Sequence, residues 1–508
     1  MTVVADTTAG KITGREKGDV LLFAGIPFAA PPVGDLRFRP PQPHPGWDDV
    51  RDATRFGKVS WQAGDSLAGI GAATTLDCSE DCLFLNVQTP ALDDARRPVL
   101  VWIHGGAFVN GTGATPWYDG SAFVRHGDVV VVSINYRLGA LGWLHLGHLD
   151  PAYASSGNNG LLDQIASLRW VHDNIEGFGG DPDNVTVFGE SAGGMSVGAL
   201  LGAPAAAGLF AKAITQSGAT HNVAGVDDGA AVTDAVLDEL GGATSGRSAL
   251  DTLLSVEPER LLAAQQAVSL GLATGSGPRR SSSASGMPFG PLIDGVVLPQ
   301  HPYEAVRDGS AASVALLTGT TRDEWNLFGF MAGSIEDADT LTRRLGRILE
   351  QPEPLIAAYR DVLAEASHDE LFSRIMTDRV FRVPAIRLAE AQAAHQPDHT
   401  FLYLFEFAST AFDGRLGSCH ALEIPFVFDN LGKTGVDLLT GPNPPHSVAD
   451  AMHASWIAFA RTGSPGHDGL PEWPAYDAGS RATMHFGEPC HLEHDPAPTE
   501  RLAWEGVL

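Results

Sequence analysis

Long apolar runs rich in β-branched residues recur along the chain, and they constrain its fold more than any other feature. They are "RPVLVWIHGG" (97–106), "DVVVVSINYR" (128–137), "NVTVFGES" (184–191), "AKAITQSG" (211–218), "SVALLTGTTRDE" (313–324) and "TFLYLFEF" (from 400). Their hydrophobicity is continuous rather than alternating, which is the pattern of strands buried on both faces. Helix-like segments such as "LLDQIASLRWVHDNI" (161–175) lie between several of them. Strands separated by a dozen or more residues join in parallel through crossovers, so the expectation is an α/β fold. It has a mostly parallel central sheet flanked by helices, with the functional loops at the carboxyl ends of the strands.

A chain of 508 residues has room for two or three domains. The strand-like runs nevertheless continue throughout without a dividing linker, and the reading is one domain over 1–508. Two stretches interrupt the rhythm. "GLATGSGPRRSSSASGMPFG" (about 271–290) reads as a mobile loop. Residues of about 325–399, including "EPLIAAYRDVLAEA" (353–366), read as a helical insertion that walls or caps the active face.

Composition narrows the function. Hydrophobic residues make up 44% and charged residues 19%, which fits a large core and excludes disorder. A formal charge of -28 argues against a nucleic-acid partner, which needs clustered Lys and Arg, and is read as favouring solubility. No apolar run reaches a membrane span, and the start "MTVVADTTAGKITG" lacks a basic flank and an apolar stretch, so a cytoplasmic location and no membrane partner are expected. The cysteines Cys78, Cys82, Cys419 and Cys490 are too few for a disulfide framework. Cys490, His491, His494 and Asp495 in "PCHLEHDPAP" lack a recognised ligand spacing and read as a polar surface loop; no metal and no cofactor are expected.

The stretch "VTVFGESAGGMSVG" (185–198) carries the chemistry. Gly-x-Ser-x-Gly arises by chance in a chain with 58 glycines, so its context decides. Val185, Val187 and Phe188 read as a buried strand, and Ala192 to Leu201 as a helix of small and apolar residues. A serine on such a strand-to-helix turn is held in a strained conformation with its hydroxyl lifted out, and nearly side-chain-free neighbours let strand and helix pass closely. Ser191 is therefore the candidate nucleophile.

A serine hydroxyl needs a base, and the base needs an orienting acid. In this arrangement the order along the chain is serine, acid, histidine, with the acid and the histidine each at or soon after a strand's end. Asp323 and Glu324 end one strand, and His420 lies in the loop after another. Spacing alone does not choose between Asp323 and Glu324, and His446 and His453 also follow in sequence. The glycine-rich "WIHGGAFVNGTG" (102–113) follows a buried strand and offers backbone N–H groups to a developing oxyanion, each critical donor contributing roughly 3 to 4 kcal/mol. Substrate contacts are expected from Trp325, Phe328, Phe330 and Met331, which follow the acid, and from Phe108 and Trp117 beside the oxyanion loop.

Taken together, "FAGIPFAAPPVGDLRFRPPQP" (23–43), "SEDCLFLNV" (79–87), "WIHGGAF" (102–108), "NNGLLDQIASLRWVHDNIEGFGGDPDNVTVFGESAGG" (158–194), "GTTRDEW" (319–325) and "CHALEIPFVF" (419–428) give the sequence its resemblance to another group. It resembles the type B carboxylesterases of the α/β-hydrolase superfamily, the branch of para-nitrobenzyl esterases and cholinesterases. The resemblance implies an α/β-hydrolase fold and a Ser191–His420–Glu324 triad, with Glu324 rather than Asp323 as the acid. It implies an oxyanion hole from Gly106, Ala107 and Ala192, with Ala107 standing where eukaryotic relatives commonly carry glycine. It also implies that Ser217 supports the acid and that Arg137–Asp163 and Arg37–Glu80 are structural ion pairs. The implied reaction is hydrolysis of small-molecule carboxylic esters through an acyl-enzyme. Amides, carbamates or lactones, or a non-catalytic binding role, are the alternatives. Two departures stand out: Cys78 is the only cysteine shortly before Cys82, so the N-terminal loop is expected to be untethered, and Trp325 replaces a common glycine.

Overall fold

The six apolar runs do become strands, because each supplies side chains to both faces of one sheet. The structure is a computed structural model and describes residues 2–64, 76–242, 246–274, 285–330 and 333–508. In chain order the strands are β1 (Thr2–Thr7), β2 (Gly10–Lys17), β3 (Val20–Pro27), β4 (Arg51–Asp52), β5 (Phe84–Thr89), β6 (Arg97–Ile103), β7 (Val130–Ile134) and β8 (Gly180–Glu190). They continue with β9 (Lys212–Gln216), β10 (Ala224–Gly225), β11 (Leu292–Ile293), β12 (Ala315–Thr321), β13 (Thr400–Phe405), β14 (Ala482–Phe486) and β15 (His491–His494). The main sheet runs β1-β2-β3-β5-β7-β6-β8-β9-β12-β13-β14-β15.

Strand β6 shows why these runs are continuously apolar. Val99, Val101 and Ile103 face one hydrophobic cluster, while Leu100 and Trp102 face a second on the opposite side. Side chains alternate along a strand, so a strand covered on both faces needs apolar residues at every position. All seven residues of β6 and all five of β7 are buried.

From β7 to β14 every neighbouring pair is parallel, as the crossovers require. The flanks differ: β1, β2, β3, β5 and β7 form an antiparallel series, and β15 returns antiparallel on β14. The segment read as a polar surface loop, "PCHLEHDPAP", thus contains an edge strand. An edge strand bonds on one side only and tolerates charged side chains, so polarity did not distinguish it from a loop.

The insertion between β12 and β13 is helical, with helices Ala338–Leu345, Pro352–Val362, His368–Thr377 and Val383–Ala393. Of the supposed mobile loop at 271–290, the first residues continue the helix Pro258–Thr274, and 275–284 lie outside the described residues. Among the described residues no helix is long and apolar enough to cross a membrane.

Candidate active site

Strand β8 ends at Glu190 and the next helix begins at Ala192 (Ala192–Leu201), so Ser191 alone makes the turn. Its φ of 57° and ψ of -125° are sparsely populated for a side-chain-bearing residue. The turn is held by Ser191 N–H donating to Gln216 O at 2.9 Å and by Met195 N–H donating to Ser191 O at 2.8 Å. The flanking glycines are there for want of space. A Cβ on Gly193 would lie 2.0 Å from Ile103 O, and one on Gly189 would lie 2.6 Å from Gly193 C.

β6 pairs with β8 up to Ile103 and Gly189, which sets the loop after β6 beside the elbow. Gly106, Ala107 and Phe108 follow with φ of 112°, 53° and 61°. This run of left-handed residues turns the backbone so that, among the described residues, the N–H groups of Gly106 and Ala107 have no hydrogen-bond partner. Ala192 opens its helix, where N–H groups lack intrahelical acceptors. The three predicted donors thus lie on adjoining turns at one end of the sheet.

Glu324 and His420 come together as a buried pair, with Glu324 Oε2 2.5 Å from His420 Nδ1. The other carboxylate oxygen of Glu324 accepts from Thr321 N–H at 2.9 Å. Asp323 has a different task. Its Oδ2 accepts from Ser418 N–H at 2.9 Å and pairs with Arg322 at 2.9 Å, while Asp323 N–H donates to Ser418 O at 2.8 Å. These reciprocal bonds join the acid's turn to the histidine's loop, and His420 N–H adds a bond to Glu324 O at 3.3 Å. His453 is occupied elsewhere, its Nδ1 2.8 Å from Val427 O, and His446 is exposed.

The far nitrogen of His420, Nε2, lies 3.2 Å from Oε1 of Glu190, the residue that precedes Ser191. Among the described residues no hydrogen bond joins Ser191 Oγ to the ring. Glu190 and Glu423 are buried acids that the sequence reading missed, although both stand in quoted motifs. Burial and the neighbouring Glu324 push the Glu190 carboxyl well up; burial, Glu190 and Glu324 do the same to Glu423. Ser217 was expected to support Glu324, but its hydroxyl faces Glu423 Oε1 at 3.4 Å instead. Its position after β9, with φ 48°, aims it at the helix that follows His420 rather than at the turn of the acid.

The expected substrate contacts divide. Phe328 lies with its ring centroid 5.2 Å from that of His420, and Trp325 packs at a tilt against Phe328 at 4.9 Å. Phe381, which was not anticipated, is closer to His420 at 4.8 Å. It is carried on a wide helical turn, Asp378–Arg382, whose Asp378–Arg382 ion pair is buried. Phe108 presents no accessible surface and packs edge-on against Trp143 at 4.9 Å, so it is a core residue. Trp117 is buried in the cluster on the other side of the sheet, its indole N–H donating to Thr434 O at 3.3 Å. Both were expected at the pocket from their nearness in sequence to Gly106 and Ala107, but Phe108 enters the hydrophobic cluster on one side of the sheet and Trp117 the cluster on the other. Phe330 is partly exposed and contacts Phe412 and Arg415, away from the histidine. Met331 lies outside the described residues.

The supporting pairs are in place. Arg137 binds Asp163 through buried bonds of 2.7 and 2.8 Å, and Arg37 meets Glu80 at 3.0 Å. Cys78 and Cys82 are free thiols.

A parallel sheet with a serine elbow after β8 and a buried acid–histidine pair on the loops after β12 and β13 is the architecture of an α/β-hydrolase. Comparison with known proteins gives the family: the profile of the carboxylesterase family matches residues 2–501, and the chain belongs to it. It is 39% identical to the para-nitrobenzyl esterase of Bacillus subtilis (strain 168) over 98% of this chain and 97% of that protein. It is 35% identical to a phenmedipham hydrolase of Pseudarthrobacter oxydans over 96% of this chain and 95% of that one. A crystal structure of a Geobacillus stearothermophilus carboxylesterase superposes with a TM-score of 0.86 at 42% identity, covering 99% of both chains. The protein is a carboxylic ester hydrolase.

Proposed function

We propose that the chain hydrolyses small carboxylic esters through an acyl-enzyme on Ser191. The observation that carries this reading is the strained Ser191 elbow set beside a buried His420 whose Nδ1 is held 2.5 Å from Glu324. Ser191 Oγ attacks the carbonyl carbon while His420 Nε2 takes its proton. Glu324 fixes the ring's tautomer and stabilises the imidazolium. The carbonyl oxygen becomes negative at that moment, and the N–H groups of Gly106, Ala107 and Ala192 receive it. His420 then returns the proton to the departing alcohol, and water repeats the sequence to release the acid. Glu190 Oε1 lies 3.2 Å from Nε2, and burial together with the neighbouring Glu324 pushes its carboxyl well up, which favours an uncharged neighbour for the base. Trp325, Phe328 and Phe381 form the apolar wall next to His420, where substrates differ from one another.

Hydrolysis of a para-nitrobenzyl or para-nitrophenyl ester by the wild type, Ser191→Ala, His420→Ala and the double variant tests the reading. Residues that act as one unit lose about as much singly as together, with single losses on the order of a million-fold in kcat. Multiplicative losses in the double variant would show that the two side chains serve separate steps.

A further inference from the structure

The carboxyl edge of the sheet brings together two histidines and a glutamate that the esterase chemistry does not use. In the register of the β14–β15 pair, His485 stands directly opposite His491. Residues opposite each other on antiparallel strands share a face, and these two rings have centroids 4.6 Å apart. On the other side of β14, the parallel register sets Leu404 against His485. Glu406, two residues further on, therefore emerges on the same face. Its backbone is tied to β14 by Glu406 N–H donating to Phe486 O at 2.9 Å.

The side chains converge accordingly. Glu406 Oε2 is 3.1 Å from His485 Nδ1, and Glu406 Oε1 is 3.7 Å from His491 Nδ1. One ligand atom from each residue falls within 4.8 Å of the other two. Zinc–nitrogen bonds of about 2.0–2.1 Å in a tetrahedron set ligand atoms roughly 3.3–3.4 Å apart, and the two glutamate–histidine separations, one at each carboxylate oxygen, fall on either side of that spacing. His485 is only 4% exposed; its Nδ1 faces Glu406, while Nε2 on the far side of the ring faces Glu493 Oε2 at 3.6 Å, the position of an acid that orients a metal-bound imidazole from behind. His491 lies on the open edge and leaves a path for entry.

We propose that Glu406, His485 and His491 form a binding site for a divalent transition ion of the zinc class, one that clamps the edge strand β15 to β13 and β14. Two imidazoles with one carboxylate suit zinc, cobalt or nickel; calcium and magnesium prefer all-oxygen sets. Three protein ligands leave a fourth position for water. Of the residues that accompany His491 in "PCHLEHDPAP", His494 and Asp495 take no part. His494 lies one residue out of phase with His491 and Glu493, with its Nδ1 3.1 Å from Ser480 O, and Asp495 holds Arg501 at 2.8 Å. The proposal is independent of the esterase mechanism, because neither the triad nor the oxyanion loop contributes a ligand.

The test uses the full-length chain, stripped with chelator and dialysed. Zinc chloride is titrated by calorimetry, cobalt is followed by its visible absorption, and melting is recorded with and without zinc. The expected result is one tight zinc per chain, a tetrahedral-type cobalt spectrum and a raised melting temperature. His491→Gln and Glu406→Gln should each weaken zinc binding by about ten-fold or more, whereas His494→Gln should not. His491 is exposed, so its variant should fold and keep wild-type esterase turnover, which separates a lost ligand from a lost fold. Wild type that binds zinc no better than His491→Gln, or calcium and magnesium binding as tightly as zinc, would overturn the proposal.

Discussion

Gly193→Ala puts the elbow's close packing to a test that depends on backbone geometry alone. The new Cβ would lie 2.0 Å from Ile103 O, 2.9 Å from Ile103 C and 3.0 Å from His104 O, whereas ordinary contacts begin at 3.4 Å. All three are backbone atoms, so no side chain can swing aside. The helix Ala192–Leu201 must move back from the end of β6 by about 1.4 Å, the shortfall against Ile103 O. Overpacking of this kind costs typically about 1–3 kcal/mol, and the severity of the contact puts this case near the upper value. The same displacement separates Ser191 and Ala192 from the Gly106–Ala107 loop, and a misplacement of about 1 Å in a catalytic constellation costs on the order of a hundred-fold in rate. The assay is kcat/KM on a para-nitrophenyl ester, at a urea concentration where both proteins are folded, together with the unfolding midpoint. Gly225→Ala is the control, since a Cβ there meets nothing within 4 Å and φ is an ordinary -78°. A folded Gly193→Ala enzyme with wild-type kcat/KM and an unshifted midpoint would refute the reasoning.

Glu324→Gln should lower kcat by about 10⁴-fold, as expected when a triad's orienting acid becomes an amide, while Asp323→Asn should cost less than about ten-fold; the reverse ranking in steady-state kinetics would reassign the acid. Phe108→Ala should cost about 3–5 kcal/mol of stability in urea unfolding as a buried core truncation, and leave the relative kcat/KM for acetate, butyrate and octanoate esters unchanged. Phe381→Ala should instead shift that preference by about ten-fold or more, because one methylene in an apolar pocket is worth roughly 1–3 kcal/mol; equal losses for all three esters would remove it from the specificity wall. Burial lowers His104 from 6.5 to about 4. The unfolded chain therefore binds a proton that the folded one does not between those values, and stability must fall as pH drops through that window, by up to about 1.4 kcal/mol per pH unit from this group. Urea midpoints measured across the window should decline more steeply in the wild type than in a folded His104→Asn variant.

The sequence revealed the parts of the fold whose physics is local to a run of residues. Strands β6, β7, β8, β9, β12 and β13 are covered on both faces, so hydrophobicity alone marked them. The N-terminal β1 and β2 were not marked, because an edge ribbon half open to solvent alternates polar with apolar and resembles a loop. Ser191 was visible because the elbow demands glycines at fixed offsets. The choice between Asp323 and Glu324 was not visible in spacing; it rests on which carboxylate the turn after β12 aims inward, and the bonds between Asp323 and Ser418 show the outward one tying the histidine loop. Phe381 escaped notice because it reaches His420 from a distant helical turn, a long-range contact with no signature near either residue. Trp117 and Phe108 were misread because nearness in sequence says nothing about which face of a sheet a side chain enters.

The central claim is that the ester's acyl group passes through Ser191. Rapid mixing of excess enzyme-saturating para-nitrophenyl ester with the protein, acid quenching and peptide mapping by mass spectrometry tests it directly. The account predicts a burst of nitrophenol approaching one per chain when deacylation is slower than acylation, with the acyl mass on the peptide holding Ser191 and neither signal in Ser191→Ala. An acyl group mapped to another residue, or a burst that survives in Ser191→Ala, would contradict it.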